Sequence, residues 1–149
     1  MSIVSLYERL KVYGKEMLFF EPASQESIND FQTKQGIQLP KSYIELISCF
    51  DGGEIFIPGT TIFGINKREN ERNIVEANGK NARGCSKMPR TLMIIGKLNF
   101  GDWICIDLNS DEIVQWDHES DEEFCKWNSL EEWLKETIEE YDKYCGEES

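Results

Sequence analysis

His118 is the only histidine in this 149-residue chain, so any mechanism that uses an imidazole, whether as a base or as a metal ligand, must use this one. A Cys/His or Ser/His nucleophile also needs a partner held against the imidazole, and Cys125 lies nearby in sequence. No nucleophile elbow and no glycine-rich phosphate loop accompanies them. Flanked by Asp117 and Glu119, His118 reads as a surface histidine at a strand end, and no catalytic residue is assigned. Asp107-Leu108-Asn109-Ser110-Asp111 opens like a calcium loop, which requires glycine at its sixth position and a bidentate glutamate at its twelfth. Glu112 and His118 occupy those places, so the segment reads as a hairpin turn, where Asx side chains bond their own backbone. Cys49, Cys85, Cys105, Cys125 and Cys145 contain no C-x-x-C pair, which argues against a zinc knuckle or a disulfide framework. The last four are twenty residues apart, but their flanks share nothing and mark no repeat. Neither a cofactor nor a metal is expected.

The remaining chemistry is that of charge and aromatic surface. Residues 99–149 carry 17 acidic and 3 basic side chains, whereas residues 1–98 carry 11 acidic and 13 basic. The acidic excess behind the net charge of -12 therefore sits in the last third, where it repels nucleic acid and speeds encounter with basic partners. Direct nucleic-acid binding is excluded on that ground. Trp103 and Trp116 fall on strand-like runs whose alternation leaves their face open; exposed, they would anchor a protein contact. Candidate partner-binding residues are Asp102, Trp103, Asp107, Trp116, Asp117, Glu119 and the acidic loop Asp121, Glu122 and Glu123.

The elements that must carry these residues can be read in chain order. Ile3, Leu6, Leu10 and Tyr13 repeat at helical spacing behind Ser2, predicting a helix over 3–13. Met17 to Phe20 is a strand or an extended connector, and Ser24 caps a second helix ending near Gly36. Leu39 to Gly53 is an amphipathic helix with Pro40 at its entrance, a Tyr43, Ile44, Leu46, Ile47 and Phe50 stripe, and Gly52-Gly53 at its exit. Residues 54–57 and 60–65 form a hairpin across Pro58-Gly59, and Asn70 to Ala77 can make one or two helical turns. Residues 66–97 hold 8 basic and 3 acidic side chains, with a long exposed loop from Asn78 to Pro89. Residues 91–95 read as a buried central strand, and 103–107 and 112–116 as an antiparallel pair. Ser129 and Glu132 form a capping box for a last helix whose Leu130, Trp133, Leu134, Ile138, Tyr141 and Tyr144 face inward. On its outer face Glu131 is set to pair with Lys135 and Glu139 with Lys143. The expected fold is α+β, one domain over residues 1–149, an antiparallel or mixed sheet of five to six strands flanked by N-terminal helices and a C-terminal helix. No apolar run approaches the ~20 residues of a membrane span, and no signal peptide is read at the start, so a cytoplasmic location is expected.

Three blocks in this order resemble the SUKH superfamily of Smi/Knr-type domains. They are Leu39-Pro40-Lys41-Ser42-Tyr43 through Asp51-Gly52-Gly53; Asn99-Phe100-Gly101-Asp102-Trp103 through Trp116-Asp117-His118-Glu119; and Ser129-Leu130-Glu131-Glu132-Trp133-Leu134. The match runs from about residue 24 to 138, with 1–23 as an N-terminal helical extension and 66–90 as a variable basic loop. Pro40, Asp51, Gly52 and Gly53 are its structural signature. The resemblance implies an immunity protein that neutralises a cognate toxin, often a nuclease, by stoichiometric binding, with no shared catalytic residues. Its alternative implication is a regulatory scaffold with a host partner; a small hydrolase built on His118 is more remote. The toxin would present a basic surface to the acidic third of this chain; the oligomeric state is not readable.

Overall fold

The computed structural model describes residues 2–79, 83–84 and 86–148, with side chains as far as residue 144. The expected Cys85 and Cys145 environments therefore lie outside what is described. The helix starts predicted at serines are realised by side-chain oxygens that accept an otherwise orphaned backbone N–H. Ser2 caps α1 (Ile3–Lys11) through Ser5 N at 3.1 Å, and Ser24 caps α2 (Gln25–Gln35) through Ser27 N at 3.1 Å. Gly36, at φ +63°, closes α2 in the left-handed region. α1 is shorter than the periodicity predicts: Val12 ends it, and Gly14 opens a 3-10 turn instead of serving as the stop.

Helix α3 (Lys41–Cys49) is preceded by Pro40 as its N-cap, one position earlier than a first-turn proline. It stops at Phe50, whose extended backbone turns the chain into the sheet. The two glycines therefore do not cap α3; they lie in the turn beyond it and at the start of β2 (Gly53–Ile55).

Among the described residues one antiparallel sheet runs β1 (Met17–Phe19), β2, β3 (Thr60–Ile62), β4 (Leu92–Leu98), β5 (Trp103–Asp107), β6 (Ile113–Asp117) and β7 (Glu122–Trp127), in sequence order. The sheet thus exceeds the expected five to six strands. The short run at Met17 pairs with β2 as an edge strand, and the acidic stretch expected as a loop is β7, paired with β6. Charged side chains concealed β7, because a strand at the sheet edge needs few apolar residues. The sheet is antiparallel throughout, so the mixed alternative falls away.

Helices α1, α3 and the final helix α5 (Leu130–Glu148) pack against one another and bury Ile3, Leu6, Leu10, Tyr43, Leu46, Ile47, Leu130, Trp133, Leu134 and Ile138. Each aliphatic side chain so buried contributes roughly 1.5–3 kcal/mol. The N-terminal extension is therefore part of the same core. Tyr144 leaves the α5 stripe and is exposed, while Tyr141 stacks on Phe56 with ring centres 4.0 Å apart. Ser129 accepts from Glu132 N at 3.1 Å, but the Glu132 carboxylate reaches Asn128 N rather than the Ser129 amide of a full capping box. Lys135 pairs forward with Glu139 at 3.8 Å.

The basic segment between β3 and β4 contains α4 (Ile74–Ala77), capped by Asn73 and Glu76 in a reciprocal box. It is held at several points: Asn78 exchanges two hydrogen bonds with Ile94, at 2.8 and 2.9 Å, and Met88 is buried with its sulfur 3.8 Å from that of Cys105. The expected long exposed loop is thus in part a cover over one face of β4 and β5.

Candidate functional site

Antiparallel order with short turns puts three hairpin turns at one end of the sheet: residues 56–59, 99–102 and 118–121. Asn99 Nδ2 reaches the Pro58 carbonyl at 3.5 Å, linking the first two. α5 starts from the opposite end and returns along the helical face, so that its last turns meet this end. There Tyr13 donates to Asp142 while packing edge-on against Phe56 and Tyr141. Burial and the Asp142 carboxylate push the Tyr13 phenol up to about 12.

The second and third turns are joined by Asp102, which is only 5% exposed. Its Oδ2 accepts from Gln115 Nε2 at 2.8 Å; its Oδ1 accepts from the His118 amide at 3.1 Å and lies 2.6 Å from His118 Nδ1. Gly101, at φ +113°, is required beside this pair, since a Cβ there would lie 2.8 Å from His118 Nε2. Among the described residues Asp102, Asp117 and His118 bring ligand atoms within 4.8 Å of one another. Two Asp117 hydrogen bonds, from Glu119 N at 2.8 Å and Ser120 N at 3.0 Å, close the turn and hold its carboxyl below the usual range. Both Asp102 oxygens and Oδ1 of Asp117 are thus engaged with the chain itself, as befits a clamp between two turns.

The nine expected contact residues separate accordingly. Glu119, Glu122 and Glu123 are exposed at the hairpin end, with Asp117 partly so. Asp102 is turned inward, and Trp116 is buried with Nε1 donating to Asp121 at 3.0 Å; neither presents its side chain to a partner. Pairing explains Trp116: it stands directly opposite Trp103, on a face covered by the basic segment. Trp103 is half-buried, with Lys97 Nζ 5.0 Å above its ring. Asp121 is committed to Ser86 Oγ at 2.5 Å and Lys87 N at 2.7 Å, and Asp107 lies at the far end, accepting from Asn109 N at 2.8 Å in the hairpin turn expected there.

Two residues escaped the sequence reading: Phe100, in the 99–102 turn, is 61% exposed, and Phe124, among the glutamates of β7, is 65% exposed. Their signal was present, since a phenylalanine beside a turn glycine or directly after a run of acidic residues is poorly placed for the core. With Glu119, Glu122 and Glu123 they are exposed acidic and aromatic side chains in or beside the turns at this end of the sheet, types that can steer a basic protein and then hold it.

The signature residues have a different task. Asp51 is 1% exposed and accepts from Ile65 N at 2.8 Å, Asn66 N at 3.2 Å and Asn66 Nδ2 at 2.6 Å, with Arg68 at 3.6 Å. Tyr43 donates to the Phe63 carbonyl at 2.6 Å, so α3 and the turn after it tie down the exit of β3. Gly53 passes so near β1 that a Cβ would lie 1.9 Å from the Leu18 carbonyl oxygen.

Among the described residues no helix is long and apolar enough to cross a membrane. A search of curated proteins finds no match. The model of the SMI1 / KNR4 family (SUKH-1) matches residues 22–136, from the approach to α2 into the first two turns of α5 and including Asp51-Gly52-Gly53 and the hairpin end. The chain therefore belongs to the SMI1 / KNR4 family (SUKH-1), with its α+β fold and its general character as a protein-interaction domain.

Proposed function

We propose that this chain is a cytoplasmic immunity protein that neutralises a basic toxin domain, of the nuclease class, by stoichiometric binding at the hairpin end. The observation that carries the reading is the exposure of Phe100 and Phe124 beside Glu119, Glu122 and Glu123 on a rigid sheet end. Complementary charge brings a basic surface to this end, and the aromatic rings, once desolvated, supply most of the affinity. The His118–Asp102 pair ties two turns together, and in this reading the chain acts by occlusion rather than by chemistry.

The test is co-expression with a toxin domain encoded beside its gene, read as cell survival and as co-purification in a 1:1 complex. Glu122→Lys with Glu123→Lys should weaken the complex by tenfold or more and abolish protection, and Phe124→Ala should lower affinity with little change in association rate. His118→Ala should retain protection once folding is confirmed. Unprotected cells and no complex with the intact chain would sink the reading for that pair.

A further inference from the structure

At the other end of the sheet, α2, α4 and the start of β4 enclose a groove of about 370 Å³. Phe31, Ile37, Val75, Leu92, Met93 and Leu108 give it apolar walls. Among the described residues that line it there is no carboxylate, in a chain with 28 acidic residues, yet two guanidinium groups, those of Arg83 and Arg90, are present. Arg83 donates through Nη2 to Asn78 Oδ1 at 2.9 Å and to the Leu92 carbonyl, while its buried Nε has no hydrogen-bond partner. Arg90 is exposed. Burial draws the Arg83 guanidinium below its ordinary pKa, a cost that a nearby anion would offset. Ile37, Val75 and Leu108 are each more than 40% exposed, so the groove opens its apolar wall to the solvent, where a larger partner can reach it.

We infer that this groove docks an acidic segment of a partner protein, which seats an aromatic or branched aliphatic side chain against Ile37, Val75 and Leu108 and a carboxylate against Arg90. A second copy is a poorer occupant. Its acidic hairpin end lies opposite its own groove, so such a contact would be head-to-tail and would chain copies into open assemblies. The groove and the hairpin end thus take partners of opposite charge, and this inference stands or falls independently of the toxin-binding reading.

The experiment is fluorescence anisotropy with the full chain and a labelled dodecapeptide of glutamates interrupted by leucine and phenylalanine. Three controls accompany it: the same peptide with lysines for glutamates, the same with serines for the apolar residues, and dodecanoate as a small amphiphile. Saturable binding of the acidic apolar peptide alone is expected, weakened tenfold or more by Arg90→Glu and by Leu108→Ser. Both positions are exposed, and circular dichroism confirms that the variants remain folded. Glu122→Lys with Glu123→Lys, at the other end, should leave peptide binding intact. The inference is overturned if the acidic peptide shows no saturable binding, if the lysine or serine peptide binds as well, or if the groove variants bind unchanged. Binding of dodecanoate alone would assign the groove to a small amphiphile and overturn it too. So would sedimentation showing that the wild type self-associates and Arg90→Glu does not.

Discussion

A single buried carboxylate organises more of this molecule than any residue on its acidic surface. Asp51 satisfies two backbone amides and a side-chain amide from the segment leaving β3, and all of them lose their partner together if it is removed. Of these donors Ile65 N is buried, and an unpaired buried donor costs about 1–3 kcal/mol, so Asp51→Ala should lower stability by roughly that amount, measured by urea denaturation. Gly53 is constrained by space as well as by φ: Gly53→Ala sets a methyl group against the Leu18 carbonyl and should prevent β1 from pairing. Gly36→Ala meets open space and pays only for its left-handed φ, about 1 kcal/mol. Thermal melts of the two variants should differ widely; similar losses would show that contact with β1 is not what selects Gly53. Burial also raises the Cys105 thiol to about 12, so iodoacetamide at pH 8 should leave Cys105 unmodified in the folded protein. Peptide mass spectrometry would reveal otherwise.

Elements, rather than residues, explain how the basic segment becomes part of the fold. Its far end is held by Asp121, in the turn before β7, through Ser86 and Lys87. The Ser86 hydroxyl first, then the Lys87 amide and the Trp116 indole, hold the Asp121 carboxyl below its usual 3.8. A carboxylate lowered by folding adds stability above its ordinary pKa and loses that contribution as pH falls through the lowered value. Asp121→Asn should therefore be less stable than the parent at pH 6, with the difference shrinking toward pH 3. A difference that stays constant with pH would show that the charge of Asp121 does not hold the segment. Hydrogen exchange at Lys87 and Met88 should also quicken in the variant at pH 6. At this same edge, β7 shows why a charged strand resists aggregation: Glu122, Glu123 and Lys126 are exposed along it.

At the scale of the whole molecule, charge and apolar surface are sorted to two ends of one sheet. Three turns and the return of α5 gather Phe100, Phe124 and exposed glutamates at one end, while the groove with Arg83 and Arg90 lies at the other. The sorting predicts a salt response at the acidic end. Association of a basic protein at the hairpin end should slow by about tenfold or more between 20 and 500 mM salt, with dissociation changing little, in stopped-flow or surface-binding kinetics. An association rate indifferent to salt would remove the steering role from the acidic end.

The serine N-caps, the α3 stripe, the central strand and the acidic third were legible from local rules, because caps and periodicity depend on neighbours a few residues away. The same rules suggested Asp102 and Trp116 as surface contacts and β7 as a loop. Both errors have one source: the exposure of a strand residue depends on which strand pairs with it and on what covers that face, and neither is a local property. Only the closed arrangement of sheet, helices and basic cover turned Asp102 inward to His118, left Phe100 and Phe124 outside, and set a cationic groove opposite an acidic end. Composition supplied the charges; the antiparallel path decided which of them meet.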